Sequence, residues 1–163
     1  MEIKSKRDEL LATLYWTQSI VERRNTMPIL GNVLIEAQKG SVRVTATDLE
    51  VGVRGSVDAE VVKEGTVTVN AKKIYEIIRE VPNEQVQLRR LDNDWVEIRS
   101  GKSVFKIVGM DAKEFPQFPK FDANSLSSTP AAKVHEMIGR TIFSDSLEET
   151  RYSLKGVFMQ EGD

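Results

Sequence analysis

The pattern of apolar positions in this chain occurs twice in succession. An offset of 64 positions lays Ile3 on Val67, Leu10 on Ile74 and Leu14 on Ile78, so the fold must accommodate two copies of one supersecondary unit. The first copy opens with a short strand, Glu2 to Lys6. A helical pattern follows from Arg7 to about Arg24, with Leu10, Leu11, Leu14, Gln18 and Val21 on one face. The stretch from Asn25 to Gly31 breaks it, since Pro28 cannot donate a backbone hydrogen bond. Three alternating runs come next: Val33, Ile35 and Ala37; Val42, Val44 and Ala46; Val51, Val53 and Val57. Lys39-Gly40 and Asp48-Leu49 supply turns short enough to pair these strands antiparallel.

The second copy repeats the order. Thr66 to Val69 alternates as a strand, Asn70 is placed to cap a helix, and Ala71 to Val81 carries Ile74, Ile77, Ile78 and Val81 as its buried stripe before Pro82. Strands at Val86 and Leu88, at Val96 and Ile98, and from Val104 to Val108 follow, separated by turns at Asp92-Asn93 and Ser100-Gly101. Each copy reads β-α-β-β-β. The predicted class is therefore α+β, with two helices packed on one face of an antiparallel sheet.

Beyond a proline-punctuated connection, Glu114 to Pro119, a third copy begins. It has a short strand at Leu126, Thr129 as N-cap with Pro130 at the first helical position, a helix to about Phe143 and a strand from Tyr152 to Gln160. A β-α-β unit has an unpaired edge and half a core, so the sequence reads as a piece of something longer, with an exposed apolar stripe of Val134, Met137, Ile138 and Ile142.

Composition removes several classes of function. The 163 residues include no cysteine and one histidine, His135, which excludes a disulfide scaffold, a thiolate metal site and a two-histidine mechanism. No run approaches the roughly 20 apolar residues of a membrane helix and no signal peptide is evident, so the expected compartment is the cytoplasm. Asp48 with Glu50, and Asp92 with Asp94, could in principle ligate magnesium as in a metal-dependent nuclease. Aspartate in a strand turn also has an ordinary backbone role. No glycine-rich phosphate loop is present, and no catalytic site, metal or cofactor is expected. The net charge is −2, while the helical segments hold eight Lys and Arg against six acids. A modestly positive helical face on an acidic body suits loose contact with phosphates; the same charges also fit a solvated face with i,i+4 pairs.

Five strings then stand in order: Thr26 to Asn32 (TMPILGN), Ala46 to Glu50 (ATDLE), Arg99 to Phe105 (RSGKSVF), Glu114 to Pro116 (EFP) and Thr150 to Val157 (TRYSLKGV). Together they resemble the bacterial DNA sliding clamp family, the beta subunit of DNA polymerase III. The resemblance implies a DNA-clamp fold, with residues 1–121 as the first clamp domain and 122–163 as the beginning of a second. It implies a replication processivity factor, not an enzyme: a homodimeric ring around duplex DNA that tethers the replicative polymerase and is placed by a clamp loader. Carried over by position, Arg24 matches a DNA-contacting arginine, Lys72 and Lys73 a basic pair at the start of the second helix, and Arg151 and Tyr152 an arginine-tyrosine motif. Arg79 joins them as a further helix cation. Phe105 and Ile107 match apolar positions of a strand that packs against the other subunit, and Leu154 matches part of a peptide-binding groove. Lys155 stands where the family usually has asparagine, and Glu149 where relatives place a neutral DNA-contacting side chain. A DNA-independent interaction module on the same fold is the alternative.

Overall fold

The computed structural model describes residues 1–21, 27–118, 122, 127–144 and 156–160. The chain divides into two compact units, Met1–Pro119 and Lys120–Asp163. In the first, β1 (Glu2–Lys6) leads into α1 (Arg7–Ile20) and then β2 (Asn32–Gln38), β3 (Ser41–Thr47) and β4 (Gly52–Lys63). The order returns as β5 (Gly65–Asn70), α2 (Ala71–Glu80), β6 (Gln85–Arg90), β7 (Trp95–Ser100) and β8 (Ser103–Met110). The duplication is thus present as two β-α-β-β-β units.

Hydrogen bonding closes the eight strands into one antiparallel circuit, β1-β4-β3-β2-β5-β8-β7-β6, with β6 returning to β1. Each unit contributes the same internal order, first-fourth-third-second, and the two junctions, β2 with β5 and β6 with β1, are equivalent. Two strands do double duty. β4 pairs with β3 through Gly52–Asp58 and with β1 through Ala59, Glu60, Val61 and Lys63. Its counterpart β8 pairs with β7 from Ser103 to Val108 and with β5 only through Gly109 and Met110. Over their remaining lengths β4 and β8 each present one strand edge with no paired neighbour among the described residues.

Both helices pack against this circuit and share its core. Leu10 and Leu14 of α1 meet Ile74 and Ile78 of α2 among Ile3, Ile35, Val44, Val67, Leu88 and Ile98. α1 lies close over β4 at Gly55, where a Cβ would strike the Thr13 methyl. Asn70 caps α2 as its sequence position predicts, its Oδ1 accepting from Lys73 N at 3.0 Å. α1 is shorter than expected. Val21 is already extended, and the last turn is rich in side chains that bond back to it: Thr17 Oγ1 donates to the carbonyls of Thr13 and Leu14, and Ser19 Oγ to that of Trp16. Thr17 is also the third buried position of the helix, a place the apolar pattern assigned to Gln18.

The turns follow their chemistry. Lys39 and Gly40 take φ of 41° and 84° between β2 and β3, as a two-residue hairpin requires. Two of the recognised strings meet on a second, smaller cluster: Ile29 and Leu30, on a 3-10 turn opened by Pro28, pack with Phe115 against Leu34 and Met110.

In the second unit, α3 runs Ala131–Thr141 and continues as a 3-10 turn, Ile142–Ser144. Pro130, not Thr129, occupies its N-cap position, with no side-chain cap bond. Residues 156–160 are not in a strand, against the expected Tyr152–Gln160 strand; a strand needs a ladder partner, and no strand is described in this unit. The expected strand at Leu126 lies outside the described residues. Met137, Ile138 and Ile142 are exposed and Val134 is half-buried. No described helix is long and apolar enough to cross a membrane.

Candidate nucleic-acid interface

α1 and α2 lie side by side and antiparallel. Arg7, at the start of α1, donates from Nε to Ile78 O at 3.1 Å and from Nη2 to Arg79 O at 2.6 Å. These carbonyls belong to the last turn of α2, so one guanidinium both satisfies orphan acceptors and places positive charge at the negative end of the helix dipole. Midway along, the Tyr15 and Tyr75 rings lie 6.2 Å apart.

The outward face of α2 is charged: Lys72, Lys73, Glu76, Arg79 and Glu80 are exposed. Lys72 reaches Glu76 at 3.8 Å and Arg79 bonds Glu80 at 2.9 Å, the latter carboxylate raising the Arg79 pKa further, by its hydrogen bond first and its charge second. Lys73 has no ion pair among the described residues. The outward face of α1 differs from expectation. From Leu10 to Ile20 it carries no charge at all, and the exposed positions are Ala12, Tyr15, Trp16 and Ser19. The basic character predicted for the first helix came from Arg7, whose guanidinium is committed to α2, and from Arg23 and Arg24, beyond the observed helix end. The two helices thus combine one aromatic face with one basic-acidic face.

Of the candidate DNA contacts, Lys72, Lys73 and Arg79 stand together on one helix. Arg24, Arg151 and Tyr152, and the groove residue Leu154, lie outside the described residues. The two candidate subunit contacts separate. Phe105 is 38% exposed on β8, whereas Ile107, on the same face, is 8% exposed within the core. Alternation along β8 turns Ile107 inward, towards the core. Phe105 lies two residues towards the open end of that strand, next to the unpaired edge.

The acidic pairs have structural work. Asp48 Oδ1 accepts from Glu50 N at 2.9 Å and Val51 N at 2.6 Å; these bonds, Val51's foremost, hold its carboxyl below the usual range. Asp94 bonds Arg90 Nη2 at 2.6 Å. Among the described residues no group of three His, Cys, Asp or Glu side chains could hold a metal ion. His135 is exposed on α3 beside the Glu136–Arg140 pair. A pocket of ≈ 720 Å³ on the outer surface of the first unit is bordered by Arg54, whose guanidinium stacks 4.1 Å above the Phe118 ring, and by Arg90 and Lys113.

Sequence reasoning missed the aromatic row of Tyr15, Trp16 and Tyr75. Its signal was present: Tyr15 and Trp16 fall off the apolar stripe of the first helix, so two aromatic rings had to face outward.

Comparison with known proteins places this geometry. Residues 1–119 match the family described as the DNA polymerase III beta subunit, N-terminal domain. The beta sliding clamp of Chlamydia pneumoniae is 31% identical over 98% of this chain and 43% of its own length. Among solved structures, the polymerase III beta subunit of Caulobacter crescentus superposes with a TM-score of 0.83 at 34% identity, covering 94% of this chain and 42% of that one. The Pseudomonas aeruginosa beta subunit gives 0.87 at 31% identity, with 94% and 42% covered. The chain therefore spans less than half the length of these relatives.

Proposed function

The chain belongs to the DNA polymerase III beta subunit family through its N-terminal domain, and on that premise we propose that it serves as the first clamp domain of a replication processivity factor. Residues 122–163 begin the second domain. The longer protein closes head to tail as a homodimeric ring around duplex DNA and tethers the replicative polymerase by linkage, without chemistry of its own. It is loaded by a clamp loader and works in the cytoplasm. The DNA-facing surface is the antiparallel helix pair, with Lys72, Lys73 and Arg79 touching phosphates, joined by Arg24, Arg151 and Tyr152. Leu154 belongs to the peptide groove of the longer chain. The unpaired edge of β8, with Phe105 beside it, is the subunit contact; Ile107 supports it from the core.

The single observation that carries this reading is the pair of helices packed together on a duplicated, internally paired sheet, in a chain that matches the family over residues 1–119. Such a surface offers few, interchangeable phosphate contacts, which permits sliding where base-edge contacts would arrest it. The test uses the longer protein, loaded on nicked circular duplex. Retention on the circle and loss when the DNA is cut to a linear form is expected. Equal retention on both would overturn topological linkage, and no DNA association at all would favour the interaction module.

A further inference from the structure

We infer that the aromatic row between α1 and α2 is a stacking site for unpaired bases, set beside the cations of α2. Trp16 is 66% exposed and Tyr15 52% exposed. Trp16 meets Tyr15 edge to face, with centroids 5.6 Å apart and planes at 74°. Tyr15 leans on Tyr75 of α2 at 46°, and the Arg79 guanidinium stands 5.7 Å over the Tyr75 ring. A row of rings therefore runs from one helix to the other and ends on a cation. Each ring is braced by the next, so little side-chain freedom is lost when a ligand stacks on the outermost one.

The occupant follows from charge and from flat-ring chemistry. Beside the rings, the two acids of α2 are engaged by Lys72 and Arg79, which leaves Lys73 without an ion pair among the described residues; a polyanion complements that surface. Within a duplex, base faces are already covered by their neighbours, and the exposed surface is phosphate, sugar and base edges. An exposed indole finds a matching face only where bases are unpaired, and aromatic side chains beside a basic surface are the common device for holding single strands. The inference rests on the proposed function, which turns this helix pair towards DNA. It adds that single strand, as exists where a duplex ends, is held at Trp16.

The chain carrying Trp95→Phe leaves Trp16 as its one indole, and its fluorescence is titrated with oligothymidylate and with fully paired duplex of equal length. Saturable quenching by the single strand, with little by the duplex, is expected. Followed instead by the anisotropy of a dye-labelled oligothymidylate, Trp16→Ala should weaken single-strand binding about tenfold without changing its salt dependence, because no phosphate contact is removed, and Trp16→Phe should keep part of the affinity. Quenching by neither, equal quenching by both, or an unaltered affinity in Trp16→Ala would overturn the inference. Because Trp16 is exposed, an unchanged circular dichroism spectrum is expected for each variant, so a lost anisotropy change reports lost binding. Single-strand quenching without retention of the longer protein on circles sinks the clamp reading alone; retention on circles without quenching sinks the stacking site alone.

Discussion

Glu97 shows how much of a side chain's behaviour is set across strands. It is 6% exposed on β7, bonds Arg99 at 2.6 Å and sits in register between Arg89 of β6 and Lys106 of β8. The Arg99 hydrogen bond first, and the neighbouring positive charges after it, hold its carboxyl below the ordinary value of 4.5. A carboxylate depressed in the folded state contributes stability above its unfolded pKa and loses it as the pH falls through the folded one. Glu97→Gln should therefore be less stable than the parent at neutral pH, with the difference shrinking as pH drops below 4.5; urea denaturation across that range measures it. At Asn70 the expectation is simpler. Asn70→Ala removes the α2 cap and the 3.3 Å bond from Nδ2 to Gly31 O, and should cost about 1 kcal/mol in the same assay.

Among the elements, the seam between β5 and β8 is the weakest junction of the circuit, with two residue pairs. Thr68 reinforces it: its hydroxyl donates to Met110 O at 2.7 Å and accepts from Met110 N at 3.2 Å. Gly109 makes the seam possible, since a Cβ there would fall against the carbonyl oxygens of Thr68 and Asp94. Gly109→Ala should destabilise the first unit by about 2 kcal/mol, whereas Gly139→Ala, in open space on α3, should not destabilise; thermal melts of the two variants decide it. The repeat, the helix stripe of α2 and the hairpin at Lys39-Gly40 were legible in the sequence because periodicity and turn chemistry are local. Closure of the sheet was not, because nothing local marks β4 as serving two neighbours. Its alternation beyond Val57, through Ala59 and Val61, was the only trace. The two roles of Ile107 were not separable in the sequence for a related reason: an apolar residue on a strand has the same appearance whether its face meets the core or a partner.

At the scale of the molecule, a net charge of −2 opposes contact with DNA, and the proposed interface must act through where its cations stand. Lys72 and Lys73 open α2, adjacent in sequence and both exposed, and α1 beside them contributes rings in place of charge. Replacing the two lysines in the longer protein should therefore remove about two counterion-release contacts, lowering the slope of log affinity against log salt by about 2 for duplex DNA. The core is untouched by either change, since both side chains lie on the outer face of the helix, so the melting temperature should hold while the slope falls. Trp16→Ala should show the opposite pattern, an unchanged slope with weaker single-strand binding. Measured together on one protein, the two variants separate phosphate contact from stacking. A lysine pair that leaves the duplex slope unaltered would remove α2 from the DNA-facing surface, and with it the orientation of the helix pair on which the ring depends.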